Sequence, residues 1–130
     1  MFDHLSLGVA DLDAGRRFYD AFLAPLGAVL LSEKPGELGW GVPGDGPRFF
    51  LYPAGEGRVA GQGTHIAFSA VDEAAVDAAY AAALAHGATA TRPAGRHPDL
   101  APDYYGAVLL DPDGNKLELV RVGVAMGMAA

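Results

Sequence analysis

The chain repeats itself. His4 and His65 are 61 residues apart, and so are Asp11 and Asp72, while Gly27 and Gly87 follow at a spacing of 60. A repeat of this length says that one supersecondary unit is used twice, and any fold must bury two equivalent apolar faces. In the first copy, Asp3-His4-Leu5-Ser6-Leu7-Gly8-Val9 alternates apolar with small or polar residues, the period of a half-buried strand. Asp11 then stands where a helix N-cap belongs, Leu12, Phe18, Tyr19, Phe22, Leu23 and Leu26 recur at helical spacing, and Gly27 ends the helix. The second copy has the same grammar: Thr64–Ala70 alternates, Asp72 caps, Ala74–Leu84 is an alanine-rich helix and Gly87 stops it.

Three short β candidates follow each helix. They are Ala28–Glu33, Glu37–Val42 and Arg48–Pro53 in the first copy, and Ala88–Arg92, Tyr104–Leu110 and Lys116–Val122 in the second. Asp111-Pro112-Asp113-Gly114 is a strong hairpin turn, with Gly44-Asp45-Gly46 as its counterpart. Aligning Gly46 with Gly114 sets an offset of 68 for the closing strands and places Phe50 opposite Glu118. The expected fold is α+β: two βαβββ modules whose mixed sheets curl into a cup, with a helix on the outer face of each. One domain over 1–122 is expected, with module one at 1–53, a Gly-rich linker at 54–63 and module two at 64–122. Residues 123–130 read as a loose tail.

Strand alternation puts His4, Ser6 and Gly8 on one face, and His65, Ala67 and Ser69 on the equivalent face. Those faces are small and slightly polar, suited to a pocket, whereas the large apolar partners suit the helices. A pseudo-twofold axis between the copies would bring the two histidines together, with Phe50 and Glu118 near the same point. Two imidazoles and a carboxylate, with open positions for substrate and water, suit a divalent ion such as iron, manganese or zinc. Each residue has a plainer alternative. The histidines could be hydrogen-bonded pocket residues, and Glu118 could form a surface ion pair with Lys116 on its own strand.

The stretch Asp3–Leu12 with Phe18-Tyr19 and Pro25-Leu26-Gly27, the segment Thr64–Phe68 and the hairpin Leu110–Glu118 resemble the vicinal-oxygen-chelate superfamily of glyoxalases, bleomycin-resistance proteins and dioxygenases. The resemblance runs from residue 2 to about 122. It implies metal ligands at His4, His65 and Glu118 for a divalent ion (iron, manganese, zinc or nickel), and an enzyme of lyase, isomerase, thiol-transferase or dioxygenase type. A small oxygen-rich substrate and a homodimer are implied with it. Glyoxalase I and its epimerase relatives carry a fourth ligand near Phe50, which cannot ligate, so the resemblance points to a three-ligand site. The alternative within the family is a metal-free protein that sequesters a small molecule or drug.

Composition narrows the remaining classes. A net charge of -7 with nine scattered basic residues gives no basic stripe for nucleic acid or an anionic membrane. With no cysteine, thiolate chemistry is excluded and a cytoplasmic setting is expected. A loop before the seventh strand carries His97, Asp99 and Asp103, and could cover the cup. Asp103, Tyr104 and Tyr105 are therefore candidates for moving a proton, the two tyrosines pointing to opposite faces. Phe50, Tyr52, Trp40 and Arg48 are candidate substrate contacts, with core or a solvated hairpin end as their plainer roles. His86 sits in the last turn of its helix, where a partly positive imidazole suits the dipole. Gly55-Glu56-Gly57-Arg58 with Gly61 is followed by a strand and no helix, so it is linker and not a nucleotide loop.

Overall fold

The structure, a computed structural model, describes residues 1–55, 61 and 63–124. Most of the expected linker's glycine-rich centre and most of the expected tail lie outside these residues. The first module runs β1 (Leu5–Val9), α1 (Leu12–Leu23), a 3-10 turn (Ala24–Leu26), β2 (Val29–Lys34), β3 (Glu37–Gly41) and β4 (Phe49–Pro53). The second runs β5 (Ile66–Ala70), α2 (Glu73–Ala85), β6 (Thr89–Arg96), β7 (Tyr105–Leu110) and β8 (Lys116–Arg121).

Both helices start as the sequence predicts. The Asp11 carboxylate accepts from the backbone N–H groups of Asp13 and Ala14, and Asp72 accepts from that of Ala75 at 2.8 Å. Each helix is followed by a glycine with left-handed backbone, Gly27 at φ 83° and Gly87 at φ 98°, where a side chain would be strained.

The modules form two four-stranded sheets in the orders β1-β4-β3-β2 and β5-β8-β7-β6. In each, the first strand runs parallel to the last and the others are antiparallel. Ser6 lies opposite Phe50, and Ala67 lies opposite Glu118. The 61- and 68-residue offsets thus recur as strand registers, and Phe50 and Glu118 hold equivalent places. The two sheets remain separate, so the expected cup is not closed within one chain. Strand β6 extends beyond the expected Arg92, through Pro93. It pairs only with β7, and an edge strand tolerates a residue without an N–H.

One core spans both modules. Phe18, Tyr19, Phe22 and Leu23 of α1 are buried with Trp40, Phe49 and Leu51 of the first sheet and Leu117 and Leu119 of the second. Phe68 of β5 meets Phe22 and Phe49 edge-on, at 5.5 and 5.4 Å between ring centres. The small residues Ala75, Ala79 and Ala83 buried on α2 let α1 pack beside it. A polar clasp adds to this. Buried Asp111 accepts from the Tyr19 hydroxyl at 2.7 Å, the Asn115 amide donates to the Gly8 carbonyl, and the Ala10 N–H donates to Asp113. The turn of module two is thereby tied to the β1–α1 junction of module one. No described helix is long and apolar enough to cross a membrane.

Candidate functional site

His65 stands one residue before β5, and Glu118 lies on β8, its register neighbour through Ala67. Their side chains meet, with His65 Nε2 3.1 Å from Glu118 Oε1. The imidazole is 41% exposed and the carboxylate only 9%. Glu118 is therefore not a surface partner of Lys116, which removes its plainer alternative. Its second oxygen accepts from the Tyr104 hydroxyl at 2.8 Å. The Tyr104 ring fits against the sheet because residue 106 is glycine: a Cβ there would sit 2.7 Å from the Tyr104 hydroxyl and would also meet the Leu119 carbonyl.

The protonation pattern of this cluster is informative. A carbonyl can only accept, so the 3.2 Å contact of His65 Nδ1 with the Gly63 carbonyl places a proton on Nδ1. A neutral His65 would then turn the Nε2 lone pair toward a carboxylate oxygen. Two acceptors at 3.1 Å need a proton or a metal cation shared between them. The Tyr104 phenol cannot give up its own proton easily. Burial, then the bond to Glu118 and its charge, push it well above the ordinary tyrosine range. In this arrangement Tyr104 is a proton donor that fixes Glu118.

The cluster opens on a cavity of about 430 Å³, lined also by Arg92, Leu100, Val108 and Lys116. Arg92, Val108 and Glu118 are register partners across β6, β7 and β8, so the three share a face. Sequence reasoning missed Arg92, because β6 shifts register on both sides of it and its alternation is broken.

The other candidates are dispersed. His4, one residue before β1, is 58% exposed and its Nδ1 contacts Asp3 at 2.7 Å. This bond, the imidazole charge and nearby Arg48 hold the Asp3 carboxyl below its usual range. His4 packs edge-on to Phe50 at 5.5 Å, and Phe50 stacks on Tyr52, whose hydroxyl donates to Glu37. Among the described residues, no group of three or more His, Asp or Glu side chains could hold a metal ion. Within one chain, His4 therefore does not join His65 and Glu118.

Tyr105 lies on the helix side, its hydroxyl donating to Asp77 of α2 at 2.7 Å, which removes it from the cluster. Asp103 is exposed, and its backbone carbonyl accepts from Arg121. Trp40 is core, 1% exposed, with its indole N–H satisfied by Asp20. It lines a separate apolar cavity of about 270 Å³ between the modules, as does Arg48, which contacts Asp3 and Asp45. Neither Trp40 nor Arg48 faces the His65 cavity.

A model of the Glyoxalase/Bleomycin resistance protein/Dioxygenase superfamily matches residues 1–119. A crystal structure of a glyoxalase/bleomycin resistance protein from Albidiferax ferrireducens is 32% identical with a TM-score of 0.76, covering 93% of this chain and 98% of that one. A family enzyme from Burkholderia phytofirmans shares the fold at 20% identity and TM-score 0.71, with 92% and 97% of the two chains covered. A glyoxalase-related enzyme from Fulvimarina pelagi does so at 19% and 0.69, covering 98% and 97%. No curated protein matches the chain at a significant level.

Proposed function

The chain belongs to the Glyoxalase/Bleomycin resistance protein/Dioxygenase superfamily, and from that premise we propose that it is a divalent-metal-dependent enzyme acting on a small oxygen-rich substrate. The observation that carries this is the His65–Glu118 pair. Donors bonded to one ion at about 2.1 Å and at right angles stand about 3.0 Å apart, and the pair stands at 3.1 Å. Each candidate histidine has Nδ1 engaged, by Asp3 or by the Gly63 carbonyl, which leaves Nε2 for coordination. His4 is the third ligand in this reading. Since it stands apart in one chain, a second copy supplies it, and the active species is a homodimer.

A bound ion would polarise substrate oxygens and stabilise negative charge developing on them. The chain's own groups have separate tasks. Tyr104 fixes one oxygen of Glu118 so that the other faces the cavity, and Val108 and Leu100 form an apolar floor and wall. Phe50, at the place equivalent to Glu118, carries no donor atom and is not a ligand. Which reaction follows, whether lyase, isomerase, thiol transfer or dioxygenation, depends on the substrate. A second reading, a metal-free binding protein, draws on the lack of a three-donor cluster among the described residues of one chain.

Metal analysis of untagged protein, with Mn(II), Zn(II), Fe(II) and Ni(II) titrations followed by melting temperature, separates the two. The enzyme reading expects a bound ion that is lost in His4→Ala and in Glu118→Ala. Mixing these two variants should restore on the order of a quarter of the sites, because half the dimers would be mixed and each would hold one intact site. No ion in the wild-type chain overturns this reading, and no recovery on mixing overturns the shared site.

A further inference from the structure

Arg92 contacts the Asp99 carboxylate at both forks, Nη1 to Oδ1 at 3.2 Å and Nη2 to Oδ2 at 2.9 Å. Asp99 sits in the loop before β7 and is 61% exposed, and the neighbouring Leu100 lines the His65–Glu118 cavity. The bond from Arg92 and its charge hold the Asp99 carboxyl low, so the contact is a charged one. Arg92 lines the same cavity and stands two strands from Glu118 on the same face. Strands are spaced about 4.8 Å apart, so the two backbones are about 10 Å apart with Val108 as the floor between them. That span suits a molecule of a few carbons, with oxygens at the Glu118 end and a planar anion at the Arg92 end.

We propose that Arg92 is the anchor for the carboxylate of a small anionic substrate, and that Asp99 holds that place in the free chain. This rests on the cavity being the substrate site proposed above. Three observations support it. The guanidinium fork is matched to a two-oxygen planar anion, and a carboxylate already occupies it. The lining carries two positive side chains, Arg92 and Lys116, against the single carboxylate of Glu118, in a chain whose net charge is -7. Thr91, in the shifted register beside Arg92, lines the same cavity and donates its hydroxyl to the carbonyl of Val108, the register partner of Arg92. Substrate arrival exchanges one carboxylate for another. Asp99 then returns to water, and the loop carrying Leu100 is free to settle over the ligand.

Titration calorimetry of the full chain, with and without saturating Mn(II), tests this with 2-oxobutanoate, its uncharged methyl ester and phosphoglycolate as probes. The acid should bind at least about tenfold more tightly than the ester, and Arg92→Gln should remove that preference. Asp99→Asn should tighten acid binding about two- to fivefold, because the competing carboxylate is gone. A merely structural ion pair predicts no gain from Asp99→Asn, and that result overturns the proposal. Equal acid affinity in Arg92→Gln and wild type also overturns it, even where Mn(II) binds and the metal reading stands. Arg92-dependent acid binding in a chain that binds no Mn(II) upholds it while the metal reading fails. Arg92-dependent binding of phosphoglycolate alone overturns the assignment to a carboxylate.

Discussion

The two modules are built on one plan and differ where chemistry is concerned. Module two sets a buried carboxylate, Glu118, between a histidine and a tyrosine at the edge of a cavity. Module one has Phe50 at the equivalent place, with His4 and Tyr52 around it as an exposed aromatic shelf. The closing turns differ in the same direction. Asp111 of module two accepts four hydrogen bonds, from the Tyr19 hydroxyl, the Asn115 amide and the backbone N–H groups of Asp113 and Asn115. The turn of module one offers only Asp45, exposed and in contact with Arg48. A duplicated unit has kept its registers in both copies while concentrating its polar, buried constellations in one.

The largest test of that asymmetry lies in the turns. Asp111→Ala leaves the Tyr19 hydroxyl and one N–H of the Asn115 amide buried without an acceptor, and frees two backbone N–H groups of the turn, and should cost about 3–5 kcal/mol in urea unfolding. Asp45→Ala should cost about 0–0.5 kcal/mol, since its partner is solvated. Comparable losses would mean that module one is held by contacts not visible in its turn. Two sheet glycines come next, Gly106 on β7 and Gly39 on β3. A Cβ at Gly106 would strike the Leu119 carbonyl and the Tyr104 hydroxyl, so backbone must move, and Gly106→Ala should cost about 2–3 kcal/mol. At Gly39 the obstacle is the Phe50 ring edge at 2.8 Å, and a partly exposed ring can turn aside, so Gly39→Ala should cost roughly half as much. A larger cost at Gly39 would show the aromatic shelf to be rigid.

Much of this plan was legible in the sequence because it is local. N-caps at Asp11 and Asp72, stops at Gly27 and Gly87, and the two offsets follow from residue chemistry and spacing, and the strand registers repeat them. The nearness of His65 and Glu118 follows from the register of a single sheet. The position of His4 relative to them does not. Internal symmetry says which residues are equivalent and not how two modules are mounted, and here the mounting is set by the packing of α1 on α2 and by the Asp111 clasp. Trp40 read equally as pocket wall or core, because an indole N–H needs only one partner and Asp20 on α1 supplies it. Arg92 was hidden by the irregular pairing that aims it, since alternation cannot be read through two register shifts and a proline.

The tyrosines sharpen the comparison at smaller scale. Tyr104→Phe removes the donor to a buried carboxylate oxygen and should cost about 1–2 kcal/mol. Tyr52→Phe removes a bond between exposed groups and should change stability by less than about 0.5 kcal/mol. In the metal-loaded protein Tyr104→Phe should also weaken ion binding about tenfold, as loss of a group orienting a ligand does, while Tyr52→Phe leaves it unchanged.

The smallest effect is the dependence on alkaline pH, and its sign follows from burial. The phenols of Tyr19 and Tyr104 hold their protons above the ordinary value of 10.0, Tyr19 through burial and Asp111, Tyr104 through burial and Glu118. Above that value the unfolded chain releases these protons and the folded chain keeps them, so the folded state binds more protons and stability falls as pH rises. The contribution is present in full below pH 10 and fades toward the raised folded values. Melting temperature should therefore decline from about pH 10 upward, and Tyr104→Phe should reduce the decline by roughly 2 °C over the next half unit. Tyr52→Phe should change it less, because Tyr52 is raised chiefly by one exposed bond to Glu37. Matching slopes in the two variants would place Tyr104 in contact with solvent and would remove this difference between the two modules.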